Sequence, residues 1–138
     1  MVKTFNFISF LINSSYIWVM SKLIQVIEDD EAIRDVIEYI LQQSEFEVNV
    51  AANAREFKIN LFNTLPDLIL MDVKLPDGDG IQLCRQLKQS LDTRHIPVII
   101  MSAHAPAEAS SKEASADDFI SKPFDLNELL KRIEAQLA

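Results

Sequence analysis

The chain has 138 residues, one domain's worth of sequence, since compact domains cluster at about 100 to 150 residues. Its 21 acidic against 13 basic side chains give a formal net charge of -8, which argues against nucleic-acid binding through a basic face, and 25% charged with 49% hydrophobic residues suits a soluble globular protein. The single cysteine, Cys84, excludes an intrachain disulfide, two histidines leave a Cys/His zinc site short of ligands, and a reducing, cytoplasmic setting fits best.

Residues 1–20, MVKTFNFISFLINSSYIWVM, hold 13 apolar positions, five of the eleven aromatics and one ionisable side chain, Lys3. Asn6, Ser9, Asn13, Ser14 and Ser15 interrupt every long apolar run, whereas a membrane-spanning helix needs about 20 mostly apolar residues. No small-x-small pattern marks a signal-peptide cleavage site. Met20-Ser21-Lys22 before an apolar strand reads as a natural start. Residues 1–20 are therefore expected to be an N-terminal leader or extension outside the core fold, and 21–138 the folded domain, with no membrane role for that domain. Since Lys3 lies in the leader, residues 21–138 carry 12 bases against 21 acids, so a further cation is to be sought near the carboxylates.

Leu23-Ile24-Gln25-Val26-Ile27 is a short strand ending in acids, and Ile33, Val36, Ile37, Ile40 and Leu41 form the stripe of an amphipathic helix. Val48 to Ala52 is a weaker strand, and a helix from Ala54 to Asn63 follows, with Asn53 and Glu56 in capping-box spacing and Phe57 and Leu61 on one face. After Pro66, the run Asp67 to Asp72 is apolar on both faces and predicts a central strand. Both glycines, Gly78 and Gly80, fall in the next loop, which leads to a helix with Ile81, Cys84, Leu87 and Leu91 in register. His95 to Met101 predicts a fourth strand. Residues 105–116 are rich in Ala and Ser, so a helix there has little to bury. Phe119-Ile120-Ser121 is a short fifth strand, and Asp125 opens a last helix carrying Leu126, Leu129, Leu130, Ile133 and Leu137. Strands alternating with helices over short loops call for a parallel sheet covered on both faces.

Such sheets bind ligands beyond the carboxyl ends of their strands. Glu28-Asp29-Asp30, Asp72, Ser102 and Lys122 stand at those ends. Converging carboxylates repel unless a cation intervenes, and a hard divalent ion with oxygen ligands, Mg²⁺, answers this at neutral pH. The same set can support phosphoryl transfer, with one carboxylate as nucleophile and Lys122 and Ser102 contacting the phosphoryl oxygens. Asp72 is the preferred nucleophile because it ends the most buried strand and precedes the loop with both glycines.

Glu28-Asp29 after strand one, Leu70 to Gly80 around Asp72, Met101-Ser102-Ala103, and Asp117-Asp118-Phe119-Ile120-Ser121-Lys122-Pro123-Phe124 together resemble the response-regulator receiver domain of two-component signalling, over residues 22–138. The resemblance implies a doubly wound α/β fold of the flavodoxin-like type, (βα)5, with a five-stranded parallel sheet in the order 2-1-3-4-5. It implies Asp72 as phosphoacceptor for a sensor histidine kinase or histidine phosphotransfer protein, and Mg²⁺ held by Glu28, Asp29, Asp72 and the backbone carbonyl of Lys74. Ser102 would be the switch hydroxyl, Phe119 the coupled aromatic switch, and Lys122 the phosphate-contacting lysine before a cis peptide to Pro123. The side chains of Lys74 and His104 stand where the family tunes phosphoryl lifetime. Asp30 matches no metal position of the family.

Two departures stand out: the span from Ser102 to Lys122 is about two residues shorter than is usual for the family, and Ser115 replaces the glycine that normally precedes Ala-Asp-Asp. Both bear on the fourth helix, on the face receivers commonly use for partners. Cys84 and His95 read as structural. No output domain follows Ala138, so the chain would act as a single-domain, chemotaxis-regulator-like receiver or a phosphorelay intermediate, unless it is a fragment of a longer regulator. The alternative is a receiver-like module that binds a protein partner independently of phosphorylation. A haloacid-dehalogenase-like phosphatase wants an Asp-x-Asp pair, where this chain has Asp72-Val73-Lys74. Phosphate turnover on an external substrate is therefore not expected.

Overall fold

The computed structural model describes residues 21–103, 112 and 114–138. Five strands, β1 (Leu23–Ile27), β2 (Glu47–Ala51), β3 (Leu68–Asp72), β4 (Val98–Ser102) and β5 (Asp118–Ser121), form one parallel sheet in the order β2-β1-β3-β4-β5. Among the described residues four helices accompany it: α1 (Glu31–Gln43), α2 (Ala54–Asn63), α3 (Gly80–Gln89) and α4 (Leu126–Leu137).

Side chains alternate across each strand, and that alternation builds two cores. On one face Ile69 and Met71 of β3, with Ile27, Val98 and Ile100, pack against Phe57 of α2 and Leu83, Cys84 and Leu87 of α3. On the other, Leu68 and Leu70, with Ile24, Val26, Ile99 and Met101, meet Ile37 and Leu41 of α1 and Leu129 and Ile133 of α4. β3 and β4 are buried at every position, which is why their sequences are continuously apolar.

Helix ends follow their sequence signals. Asp30, Asn53, Asp79 and Asp125 cap α1 to α4 by accepting from backbone N–H groups two or three residues on. Glu56 reaches back to the Ala52 N–H at 2.8 Å, one residue before the position a capping box uses. α1 ends in a Schellman motif, with Phe46 N–H to Leu41 O at 3.1 Å and Glu45 N–H to Gln42 O at 3.0 Å, and this puts Glu45 at φ 70°. Asp117 closes the lower end of the β4–β5 pair: it accepts the Val98 N–H at 2.7 Å and pairs with Lys88 of α3 at 2.6 Å.

Several details depart from the sequence reading. Val36 is 49% exposed and Leu91, past the end of α3, is 75% exposed, whereas Leu83 is a core residue of α3 that the predicted stripe omitted. β4 begins at Val98 rather than His95; Ile96 is buried in the preceding turn and His95 lies exposed there. Most of the segment 105–116 lies outside the described residues, but Ser115 adopts φ 63°, the left-handed conformation that makes glycine the easier residue at that position.

Candidate functional site

The carboxyl ends of β1, β3, β4 and β5 converge on one charged cluster. Glu28 continues β1 by one residue, its N–H bonded to Ala51 O at 3.0 Å, and is 1% exposed. The turn after it is fixed from below: Arg34 of α1 donates to the carbonyls of Glu28 at 2.9 Å and Asp29 at 3.3 Å. The sequence reading missed Arg34, although a base one turn into the helix after an acidic run is the available signal. Asp30 is not part of the cluster; its carboxylate caps α1 while its N–H donates to Glu28 Oε2 at 3.1 Å.

Asp72 ends the central strand and is 8% exposed. The chain then turns back on itself: Lys74–Leu75 pairs antiparallel with Gly78–Asp79, and the Gly80 N–H closes on Val73 O at 2.7 Å. Gly80 is required by close approach, since a Cβ there would lie 2.1 Å from the Asp72 carbonyl oxygen. Lys74 donates its N–H to Asp72 Oδ1 at 3.4 Å and leaves its side chain in solvent.

Lys122, at the end of β5, lies between the two buried acids. Its ammonium pairs with Asp72 Oδ2 at 2.7 Å and makes a second ion pair to Glu28. Its own N–H donates to Ser102 O at 2.8 Å, joining the ends of β4 and β5, and a cis peptide links it to Pro123. Ser102 is 2% exposed at the end of β4. Oxygens of Glu28, Asp29 and Asp72 lie within 4.8 Å of one another, with Asp29 the exposed member. Three carboxylates in that volume are a hard, all-oxygen donor set, which fits a divalent ion such as Mg²⁺.

Burial pushes the Glu28 carboxyl above the ordinary glutamate range, against the opposing pull of Lys122. Burial works to depress Lys122 as well, but its bonds to Asp72 and Glu28 prevail and hold it above the usual lysine value. The Cys84 thiol, buried in the core, is pushed up to about 11, so it is inert rather than reactive.

Phe119 is half-buried in β5 against the core facing α2 and α3. Arg132 of α4 stands 5.8 Å from its ring centroid, donates to its carbonyl at 2.8 Å and pairs with Asp118 at 2.9 Å, so the ring is held by a cation as well as by packing. His104 lies outside the described residues. Beside the cluster, an apolar groove of about 610 Å³ runs between α1 and the Pro123–Leu126 segment, lined by Ile33, Val36 and Ile37 on one wall and Pro123, Phe124 and Leu126 on the other.

Residues 24–134 match the family model described as the response regulator receiver domain. Among curated proteins, the chain is 40% identical over 119 residues to the phosphate regulon transcriptional regulatory protein PhoB of Escherichia coli (84% of this chain, 52% of the relative). It is 37% identical over 116 residues to PhoB of Rhizobium meliloti (83% and 51%). The chain thus spans about half the length of these relatives. Among solved structures, a signal receiver domain of a signal transduction histidine kinase from Syntrophus aciditrophicus superposes with TM-score 0.79 at 34% identity (85% and 90% covered). A response regulator structure from Chloroflexus aurantiacus gives 0.79 at 30% identity (85% and 98% covered).

Proposed function

Because the chain belongs to the response-regulator receiver family, the phosphoacceptor module of two-component signalling, we propose that Asp72 is its phosphoacceptor and that residues 21–138 form the receiver unit. The observation that carries this is the convergence of Asp72, Glu28 and Asp29 with Lys122 at the carboxyl edge of the sheet. In the transfer, a carboxylate oxygen of Asp72 bonds to phosphorus while the bond from phosphorus to the donor's imidazole nitrogen breaks and the imidazole leaves. Lys122 is already hydrogen-bonded to that carboxylate and is placed to neutralise the arriving phosphoryl oxygens. Ser102 supplies a hydroxyl from the next strand end. Glu28, Asp29, Asp72 and the Lys74 carbonyl would hold Mg²⁺, which when bound would offset the charge that otherwise opposes in-line approach.

The phosphodonor would be a histidine kinase or histidine phosphotransfer protein. The apolar groove beside the acceptor, with Val36 half-exposed in its wall, favours a donor whose histidine sits on an amphipathic helix. Phosphorylation places new charge and acceptors at Asp72, and Ser102 and Phe119 would carry that change toward a partner. Lys74, exposed two residues after the acceptor, and His104, two after Ser102, would set how long the phosphoryl group lasts. The chain would accept and slowly release the group without turning over an external substrate. The reading includes a cytoplasmic setting, supported by the unpaired, buried Cys84; no helix among the described residues is long and apolar enough to cross a membrane.

Acetyl phosphate with Mg²⁺ should give one acid-stable, base-labile phosphoryl adduct by intact mass, absent in Asp72→Ala. No adduct on the parent chain would instead indicate a phosphorylation-independent binding module, and sustained release of phosphate would indicate a phosphatase.

A further inference from the structure

The loop after Asp72 is tied to a helix that contributes nothing else to the site. Asp77, at its tip, accepts the Ala54 N–H on Oδ1 at 2.8 Å and the Arg55 N–H on Oδ2 at 3.0 Å. These are the first two N–H groups of α2, and the third, Glu56 N–H, goes to the helix's own cap Asn53 at 2.8 Å. A helix start normally leaves such donors to a local side chain or to water. Here one carboxylate from 23 residues away takes two of them, at the positive end of the helix dipole. Ala54 packs under the same loop, its Cβ 3.9 Å from where a Gly78 Cβ would stand. The bonds from Ala54 and Arg55 hold Asp77 below the ordinary aspartate range, so the carboxylate is charged whenever the protein is folded near neutrality. On the other side, the loop is continuous with Asp72 through the Lys74–Asp79 and Leu75–Gly78 pairs and the Gly80 to Val73 bond.

We propose that Asp77 is a positioning residue for the metal site: its two-pronged bond to the N-terminus of α2 fixes the Val73–Asp79 loop and thereby sets the affinity of the acidic cluster for a divalent cation. This rests on the assignment of Glu28, Asp29, Asp72 and the Lys74 carbonyl as the metal-holding set. Asp77 is not a member of that set. Its effect is exerted through the loop that carries Lys74, which must stay in register with Asp72 for both to face one ion.

The test is titration of the full chain with MgCl₂ by calorimetry, alongside amide hydrogen exchange at Leu75 and Gly78. Asp77→Ala should weaken Mg²⁺ binding about tenfold, the lower end of the loss seen when a residue supporting a metal ligand is removed. Exchange in the loop should speed up with it. Ala54→Pro removes one of the two donors at a position where proline suits a helix, after an already extended Asn53, and should give an intermediate loss. Asn53→Ala uncaps the same helix without touching the loop; it should lower stability but leave Mg²⁺ affinity near parental. Parental affinity in Asp77→Ala, or an equal loss in Asn53→Ala, would overturn the proposal. A parent chain that does not bind Mg²⁺ would overturn the metal assignment and this proposal with it. If Asp77→Ala does not fold, Asp77→Asn, which keeps one acceptor, replaces it under the same criteria.

Discussion

Asp29→Asn is expected to make the metal-free protein more stable and at the same time to remove the stabilisation that Mg²⁺ confers. Asp29 is the exposed member of the cluster, with carboxylate oxygens of Glu28 and Asp72 within 4.8 Å, while Lys122 is engaged by those two neighbours. At that distance, and with the dielectric of water appropriate to an exposed group, each like-charge pair costs about 0.9 kcal/mol. Attraction to Lys122, already paired with the two buried acids, offsets part of the two repulsions, so the neutral amide should gain about 1 kcal/mol in low-salt buffer with chelator. With a urea slope of about 2 kcal/mol per molar, the midpoint should rise by about 0.5 M. Mg²⁺ at a hundred times its dissociation constant should stabilise the parent by about 2.7 kcal/mol. The variant, lacking one charged ligand, should show little of that gain, so the order of stability reverses between chelator and Mg²⁺. Urea unfolding followed by far-UV circular dichroism in both buffers measures the four midpoints. A variant less stable than the parent in chelator, or one that keeps the parental Mg²⁺ shift, would refute the reasoning.

Three further outcomes are expected. Burial raises the Glu28 pKa, so folding favours its protonated form, and this contribution is fully present below about 4.5 and fades as pH rises through the folded value. Metal-free Glu28→Gln should therefore match the parent at acidic pH and exceed it increasingly toward neutrality; a constant difference across a pH series of unfolding curves would sink the argument. Ser115→Gly relieves a left-handed residue at φ 63°, a strain of about 1–2 kcal/mol, against about 0.5–1 kcal/mol of added unfolded-chain entropy. A net gain of about 0.5–1 kcal/mol should appear in the same urea assay, and a loss would mean that the Ser115 side chain does something the backbone does not reveal. Gly80→Ala forces a Cβ against the Asp72 carbonyl and should cost about 2–3 kcal/mol while slowing phosphorylation; unchanged adduct formation by mass spectrometry would show that the loop adjusts freely.

Period and burial were legible along the chain because they are local. The continuous apolar runs at β3 and β4 mark strands buried on both faces, and Asn53 with Glu56 fixes the start of α2 to the residue. Errors arose where apolarity and regular structure part company. Ile96 is buried in a turn, so the apolar stretch before Val98 read as strand, and Val36 and Leu91 continue an apolar period without a neighbour to cover them. The site acids and Lys122 were readable because a parallel sheet places all its carboxyl ends at one edge, which turns sequence order into proximity. Asp77 was not, because its partners lie across the fold, where no periodicity points.

The charge count explains why Lys122 alone does not settle the site. Three clustered carboxylates against one ammonium leave a formal excess of two negative charges at the mouth of the sheet, which is the charge of one divalent cation. Lys122 deals with the two buried acids, Glu28 and Asp72, and leaves Asp29 facing solvent. Converting the Asp72 carboxylate to an acyl phosphate would add about one further negative charge near neutrality, since the dianionic phosphoryl group replaces one carboxylate charge. Even with the divalent ion bound, the phosphorylated site is then about one charge short of neutrality. Among the described residues, groups able to respond include the Ser102 hydroxyl, at the end of the neighbouring strand, and Lys122, whose bond to Glu28 competes with a closer approach to the phosphoryl oxygens. A signal leaving Asp72 would therefore pass first through the ends of β4 and β5, which the Lys122 N–H to Ser102 carbonyl bond already joins.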